Sequence, residues 1–289
     1  MSDDREETTP EIGRYGVWQG RPPLTPEPAY HLENLGFGAI WVGHSPAADL
    51  RHVESLIANT STITVATAIA NIWTADPREL AAAYHRVEAA HPGRLLLGIG
   101  AGHPETQGQQ ARKPYAATVE YLDVLDAEGV PASRRVLAAL GPRMLELARD
   151  RAAGAHPYLV TPSFNEGARD ILGPAKLLAT EQRVVLRTDP AEARDLGRPT
   201  VDRPYLGLRN YLNNLRRLGY GDDDLESPGS DRLIDDLVVS GDAAAIKARV
   251  DQHLHHGADH VAVQLIVADG DDRAAAFAEL AADLGLSHP

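Results

Sequence analysis

The chain has 289 residues, 43% of them hydrophobic, a formal net charge of −13 and no cysteine. That size fits one large α/β barrel or two ordinary domains, and the lack of cysteine excludes disulfides and thiolate catalysis. The acidic balance argues against non-specific nucleic-acid binding, and the absence of an apolar run of about 18 residues argues against a membrane span.

In chain order, residues 1–12 form an acidic stretch without an apolar h-region and read as a disordered lead-in to a single domain over residues 13–289. Apolar, β-rich runs alternate with helical periodicity from there on. The strands are expected at Tyr15–Trp18, Ala39–Gly43, Ile63–Ile69, Leu95–Gly100, Val136–Leu140, Tyr158–Thr161, Val184–Arg187 and His260–Val267. Helices are expected at Glu27–Leu35, Asp49–Asn59, Pro77–Ala90, Tyr115–Ala127, Arg143–Arg151, Glu166–Leu172 and Arg273–Leu284. Eight such alternations predict an α/β fold of the (β/α)8 TIM-barrel type. A doubly wound sheet is disfavoured because no GxGxxG with a ribose-binding acid follows the first strand. The stretch 190–257 is too long for one crossover and reads as a mostly helical insertion after strand seven, either a lid or subunit contact or a peripheral helical hairpin.

In such barrels chemistry gathers at the carboxyl ends of the strands. His44 ends AIWVGH before Ser45-Pro46, where it is either a proton donor and acceptor near neutral pH or a hydrogen-bonded loop residue. Ala68, Ile69 and Asn71 end the third strand with small and apolar groups that a planar ring can approach. Asn71 is suited to the ring edge and Trp73 to a wall, with Asp76 as the next helix cap. The run Gly98-Ile99-Gly100-Ala101-Gly102-His103 permits close backbone approach and leaves amides for an anion. Gly141-Pro142 and Thr161-Pro162-Ser163 end the next two strands and suit phosphate, and Glu181 and Gln182 stand near the seventh. His253, His255, His256 and His260 read as a solvated face; no metal site is expected.

Taken together, LGFGAIWVGH (35–44), VATAIANIWTADPRELA (65–81), HPGRLLLGIGAGH (91–103), ALGPRMLELARDRAAGAHPYLVTP (139–162) and GADHVAVQLI (257–266) resemble the luciferase-like monooxygenase superfamily. The closer likeness is to its branch of oxidoreductases that use the deazaflavin coenzyme F420. The resemblance implies a ring lying across the strand ends, backed by a non-prolyl cis peptide that maps onto Ala68-Ile69. It implies that His44 is the proton partner near the reactive ring carbon. The cofactor set is then His44, Ala68, Ile69, Asn71, Gly100, Gly102, His103, Gly141, Thr161 and Pro162, with amides around Gly102 and Thr161 near the phosphate. Alcohol- and sugar-oxidising members often have Asp before the histidine and a Glu after the glycine strand. Here Gly43 and His103 occupy those places, so His103 takes the acid's role or the substrate class differs. The resemblance implies a homodimer acting on a small organic substrate by hydride transfer, and the lack of cysteine fits a cytoplasmic protein. The alternatives are an FMN-dependent monooxygenase using oxygen and a non-catalytic flavin- or deazaflavin-binding protein.

Overall fold

The computed structural model describes residues 9–20, 22, 24–102 and 113–287. Its strands are β1 (Tyr15–Gln19), β2 (Ala39–Gly43), β3 (Thr64–Ala68), β4 (Ala70–Asn71) and β5 (Leu95–Gly100). They continue with β6 (Arg135–Leu137), β7 (Gly154–Ala155), β8 (Leu177–Leu186), β9 (Val238–Gly241) and β10 (His260–Ile266). The strand pairs are parallel, and β10 pairs with both β8 and β1, so eight strands close into a barrel. The two-residue β4 carries the third strand on to β5 beyond a cis peptide at Ala68–Ile69. The short β9 lies alongside the carboxyl half of β8.

Local sequence explains the alternation. Six of the helices open on proline, at 26, 77, 114, 142, 162 and 190, where the missing N–H costs nothing and the fixed φ suits a first turn. Asp76 and Asp189 add side-chain caps, each accepting from two amides of the turn that follows. Side chains alternate along each strand. One set (Ile40, Val65, Leu95, Leu97) joins the shell under the helices, while the other (Ala39, Trp41, Ala66, Leu96, Ala179, Ala262) fills the barrel.

The barrel interior is built from small residues around a few large polar ones. Trp41 stacks on His156 with ring centroids 4.1 Å apart and donates from Nε1 to His260 Nε2 at 3.0 Å. His260 Nδ1 then meets Gly13 O at 2.8 Å, and His156 Nδ1 meets Ala179 O at 2.7 Å. Outside the barrel, His253 bridges Asn165 and Gln182, its Nε2 lying 2.7 Å from Gln182 Oε1.

Several expected boundaries move. The sixth strand is Gly154–Ala155, not Tyr158–Thr161, because Pro157 has no N–H to give a ladder. Leu159 has φ 56° and sends its amide to Glu181 Oε2 at 2.9 Å. The seventh strand begins at Leu177, seven residues before Val184, because its polar centre Thr180–Arg183 hides it from hydropathy although all four residues are buried. The 190–257 stretch holds the strand β9 as well as helices. His253 and His260 are fully buried, which overturns the solvated face expected of that cluster. Ile12 also packs into the barrel cluster.

Burial pushes the imidazoles of His156 and His260 down to about 4 and that of His253 to about 3. All three are neutral when folded and free to protonate near 6.5 when unfolded. Their stabilisation is therefore complete above that value and is lost as pH falls toward 4. Urea unfolding between pH 6 and 4.5 is expected to lose on the order of 3 kcal/mol per pH unit from these groups. Replacing His253 with Gln should flatten the slope by roughly a third.

Candidate active site

A cavity of about 940 Å³ opens at the carboxyl ends of the strands. One wall is the apolar step Ala68–Ile69 with the buried Asn71 beside it. Ala101, Gly102, Ala138 and Gly141 continue this wall with little side-chain relief. Trp18, Tyr158 and Gln264 also line the cavity. The 190–257 insertion supplies the roof through Thr200, Tyr205, Asn210 and Tyr211. Arg143, Arg183, Arg203 and Arg209 line the cavity, and no Asp or Glu is among the described lining residues. In a chain of net charge −13 that is a local reversal of sign.

His44 reaches this mouth because β2 stops at Gly43 and the chain turns through two left-handed residues, His44 at φ 58° and Ser45 at φ 52°. Its exposed ring packs over Gly20, where an added Cβ would fall 2.2 Å from His44 Cδ2. Gly43 is equally constrained: a Cβ there would lie 2.4 Å from the indole of Trp18. The Trp18 ring occupies the space that an acidic side chain before His44 would need, and its centroid lies 6.1 Å from the imidazole.

Deeper in the barrel sits a polar cluster. Arg183, 1% exposed, donates from Nη2 to Tyr158 Oη at 2.9 Å, and Tyr158 donates to Gln264 Oε1 at 2.8 Å. The guanidinium lies 5.0 Å from the Tyr158 ring centre and 4.9 Å from that of Tyr205. Such contacts stabilise a buried cation by about 1–2 kcal/mol. Glu181 lies behind it, with Oε1 3.8 Å from Arg183 Nε. Burial holds the Glu181 carboxyl above its usual range despite that arginine.

Of the residues singled out from sequence, His44, Ala68, Ile69, Asn71, Gly102 and Gly141 line one cavity. Gly100 lies behind the wall, its α-carbon packed toward Ala138 and Ile69. Thr161 and Pro162 begin the helix Pro162–Leu172 and do not line the cavity; the Thr161 hydroxyl pairs instead with Ser163 at 2.9 Å. Trp73 is not a wall either, although its amide donates to Asn71 Oδ1 at 3.0 Å. Gln182 points outward to His253. His103 lies outside the described residues. Trp18, His156, Tyr158, Arg183, Gln264 and the roof residues went unread; for Arg183 the available signal was its i, i+2 spacing from Glu181 within a β-rich run.

Fold and cavity together define a (β/α)8 barrel with a broad, arginine-bearing cleft at its strand ends. Residues 13–128 match the family model of luciferase-like monooxygenases. It is similar in fold to an F420-dependent secondary alcohol dehydrogenase solved with an F420–acetone adduct. That pair is 16% identical with a TM-score of 0.71, over 95% of this chain and 99% of that one. The F420-dependent tetrahydromethanopterin reductase of Methanopyrus kandleri is 17% identical with a TM-score of 0.69, over 94% and 98%. The oxygenating component of 3,6-diketocamphane monooxygenase from Pseudomonas putida, solved with FMN, is 14% identical with a TM-score of 0.66, over 93% and 96%.

The packing of Trp18 on Gly43 gives a direct test. Gly43→Asp is expected to cost roughly 1–3 kcal/mol of stability through overpacking. Most of that cost should disappear when Trp18 is replaced by Ala in the same chain, a coupling of at least about 1 kcal/mol in denaturant unfolding. Equal cost with and without the indole would show that Trp18 does not fill the acid's place.

Proposed function

We propose that this protein is a coenzyme F420-dependent oxidoreductase that moves a hydride between the deazaflavin ring and a small organic substrate. The observation that carries the reading is a cleft whose apolar wall is Ala68–Ile69 and which, with no Asp or Glu among its described lining residues, bears Arg143, Arg203 and Arg209. Its volume is at the upper end of that of small-molecule sites, room for a tricyclic ring and a substrate together. A Cβ on Gly141 would meet nothing within 4 Å, so the cleft is open where a ring could lie. Arg143, Arg203 and Arg209 are exposed at the rim. Three rim cations suit a coenzyme with several anionic groups better than the single phosphate of FMN.

A bound deazaflavin supplies a carbon centre that takes or gives two electrons as hydride. The chain's own part is to hold, orient and exclude water. Ala68, Ile69, Ala101 and Gly102 back the ring, Asn71 offers its amide, and the rim arginines hold the anionic tail. His44 takes the hydroxyl proton as an alcohol becomes a carbonyl, or returns it in reverse. The Tyr205–Tyr211 segment shields the cleft from solvent.

Purified, cofactor-free protein should bind the deazaflavin at micromolar concentration or tighter, and FMN at least tenfold more weakly, by fluorescence quenching. Preference for FMN with oxygen consumption would instead favour a monooxygenase, the reading that the FMN-bound neighbour keeps open. In a hydride-acceptor screen, His44→Ala should lower turnover roughly 10²–10⁴-fold and leave deazaflavin affinity within about threefold. Unchanged turnover would remove His44 from the chemistry.

A further inference from the structure

Beneath the rim, the cavity contains a charge that the protein does not fully pair. Arg183 lines the cavity at 1% exposure, and its Nε and Nη1 have no hydrogen-bond partner among the described residues. Glu181 is too far, at 3.8 Å, to accept from Nε, and its other oxygen is taken by the Leu159 amide. The two tyrosine rings hold the guanidinium plane, and Tyr158 takes one N–H of Nη2. Nη1 and the second N–H of Nη2 therefore remain as a terminal edge, the geometry that grips a carboxylate through two parallel bonds. Two other buried atoms around the same cavity, Trp18 Nε1 and His156 Nε2, are also unpartnered. Buried polar atoms left unpaired are costly in a folded protein, and a cluster of them around one cavity points to a ligand that completes it.

We propose that Arg183 is the specificity-determining residue for the substrate and that the substrate is a small organic acid whose carboxylate binds the terminal edge of this guanidinium. Burial of Glu181 raises its carboxyl above the usual range, which weakens its competition for Arg183. Trp18 Nε1 is a further donor beside the acid. His156 Nε2 carries a lone pair, since Nδ1 meets the Ala179 carbonyl, and is an acceptor at the same cavity. The rim arginines are exposed where a coenzyme tail enters, whereas Arg183 is buried among Tyr158, Tyr205 and Gln264. The word substrate rests on the reading that this cavity also holds the deazaflavin.

The test is calorimetric titration of the protein, with and without the deazaflavin, by a set of small carboxylates, each beside its own amide. Acetate, 2-hydroxybutyrate, benzoate and phenylacetate serve as the set. At least one acid is expected to bind ten times or more tighter than its amide. Arg183→Gln should abolish that preference and Arg183→Lys should retain part of it, both keeping deazaflavin affinity within threefold. Should Arg183→Gln not fold, Tyr158→Phe removes the hydroxyl that steadies Nη2 and should reduce the preference several-fold. Acids and amides binding alike in the wild-type protein would overturn the proposal. So would a tenfold loss of the phosphate-bearing deazaflavin in Arg183→Gln without loss of its phosphate-free nucleoside, because Arg183 would then serve the coenzyme. A carboxylate preference that persists without any deazaflavin binding, and vanishes in Arg183→Gln, would uphold the arginine and discard the coenzyme reading.

Discussion

Closure of the barrel along β8 and β10 sets the rest of the site. Seven residues pair in register there, from His260 opposite Ala179 to Ile266 opposite Val185. Paired residues in a parallel ladder face the same side, so this register puts Gln264 level with Arg183 and Ala262 level with Glu181, all inward. Gln182 and Val263 are turned the other way, toward the helices. A shift of one residue in β8 would exchange these faces, turning Gln182 into the lumen and Arg183 toward the helices. The hydrogen bonds from Arg183 through Tyr158 to Gln264 are therefore a product of strand register.

The lumen then has to accommodate what register puts there. A parallel barrel is normally packed with branched apolar layers; here alanines and glycines leave space that Trp41, His156 and His260 fill in part, one indole stacked and hydrogen-bonded between two imidazoles. Above that layer the packing stops, and the remaining volume is the cavity. An arginine in this position carries a large desolvation cost, offset here by two aromatic faces, one hydroxyl and a distant carboxylate. Hydrophobic residues of similar volume would be as stable or more so. The polar floor is thus explained by recognition better than by folding stability.

The architecture was legible because hydrophobic period and proline placement agree along most of the chain. Pro77–Ala90 has the bounds read from sequence, and Leu95–Gly100 likewise. His44 and the Ala68–Ile69 step were legible through a family likeness, since nothing in their composition separates them from ordinary strand ends. The floor was not legible. Glu181 and Arg183 sit in a run whose polarity breaks the hydrophobic signal, and their inward direction is decided by a partner strand some eighty residues away. His156 and Tyr158 were obscured by Pro157, which makes the sixth strand two residues long. The role of the insertion was equally hidden, because a helical hairpin carries no local mark of the surface it covers.

Two grades of positive charge thus share one cleft, and burial separates their uses. Exposed Arg143, Arg203 and Arg209 are screened by water and can hold a long, mobile anionic tail without fixing its geometry. Arg183, in a medium of low dielectric and held by rings, discriminates strongly between a charged group and its neutral isostere. The field of the whole chain works against both, since a net charge of −13 repels anions at long range. Selectivity must then come from the short-range geometry of the cleft, which admits an anion only where arginine replaces carboxylate along the wall. The insertion completes that condition by laying Tyr205 across the guanidinium, so the residue that recognises and the segment that covers are one packed unit.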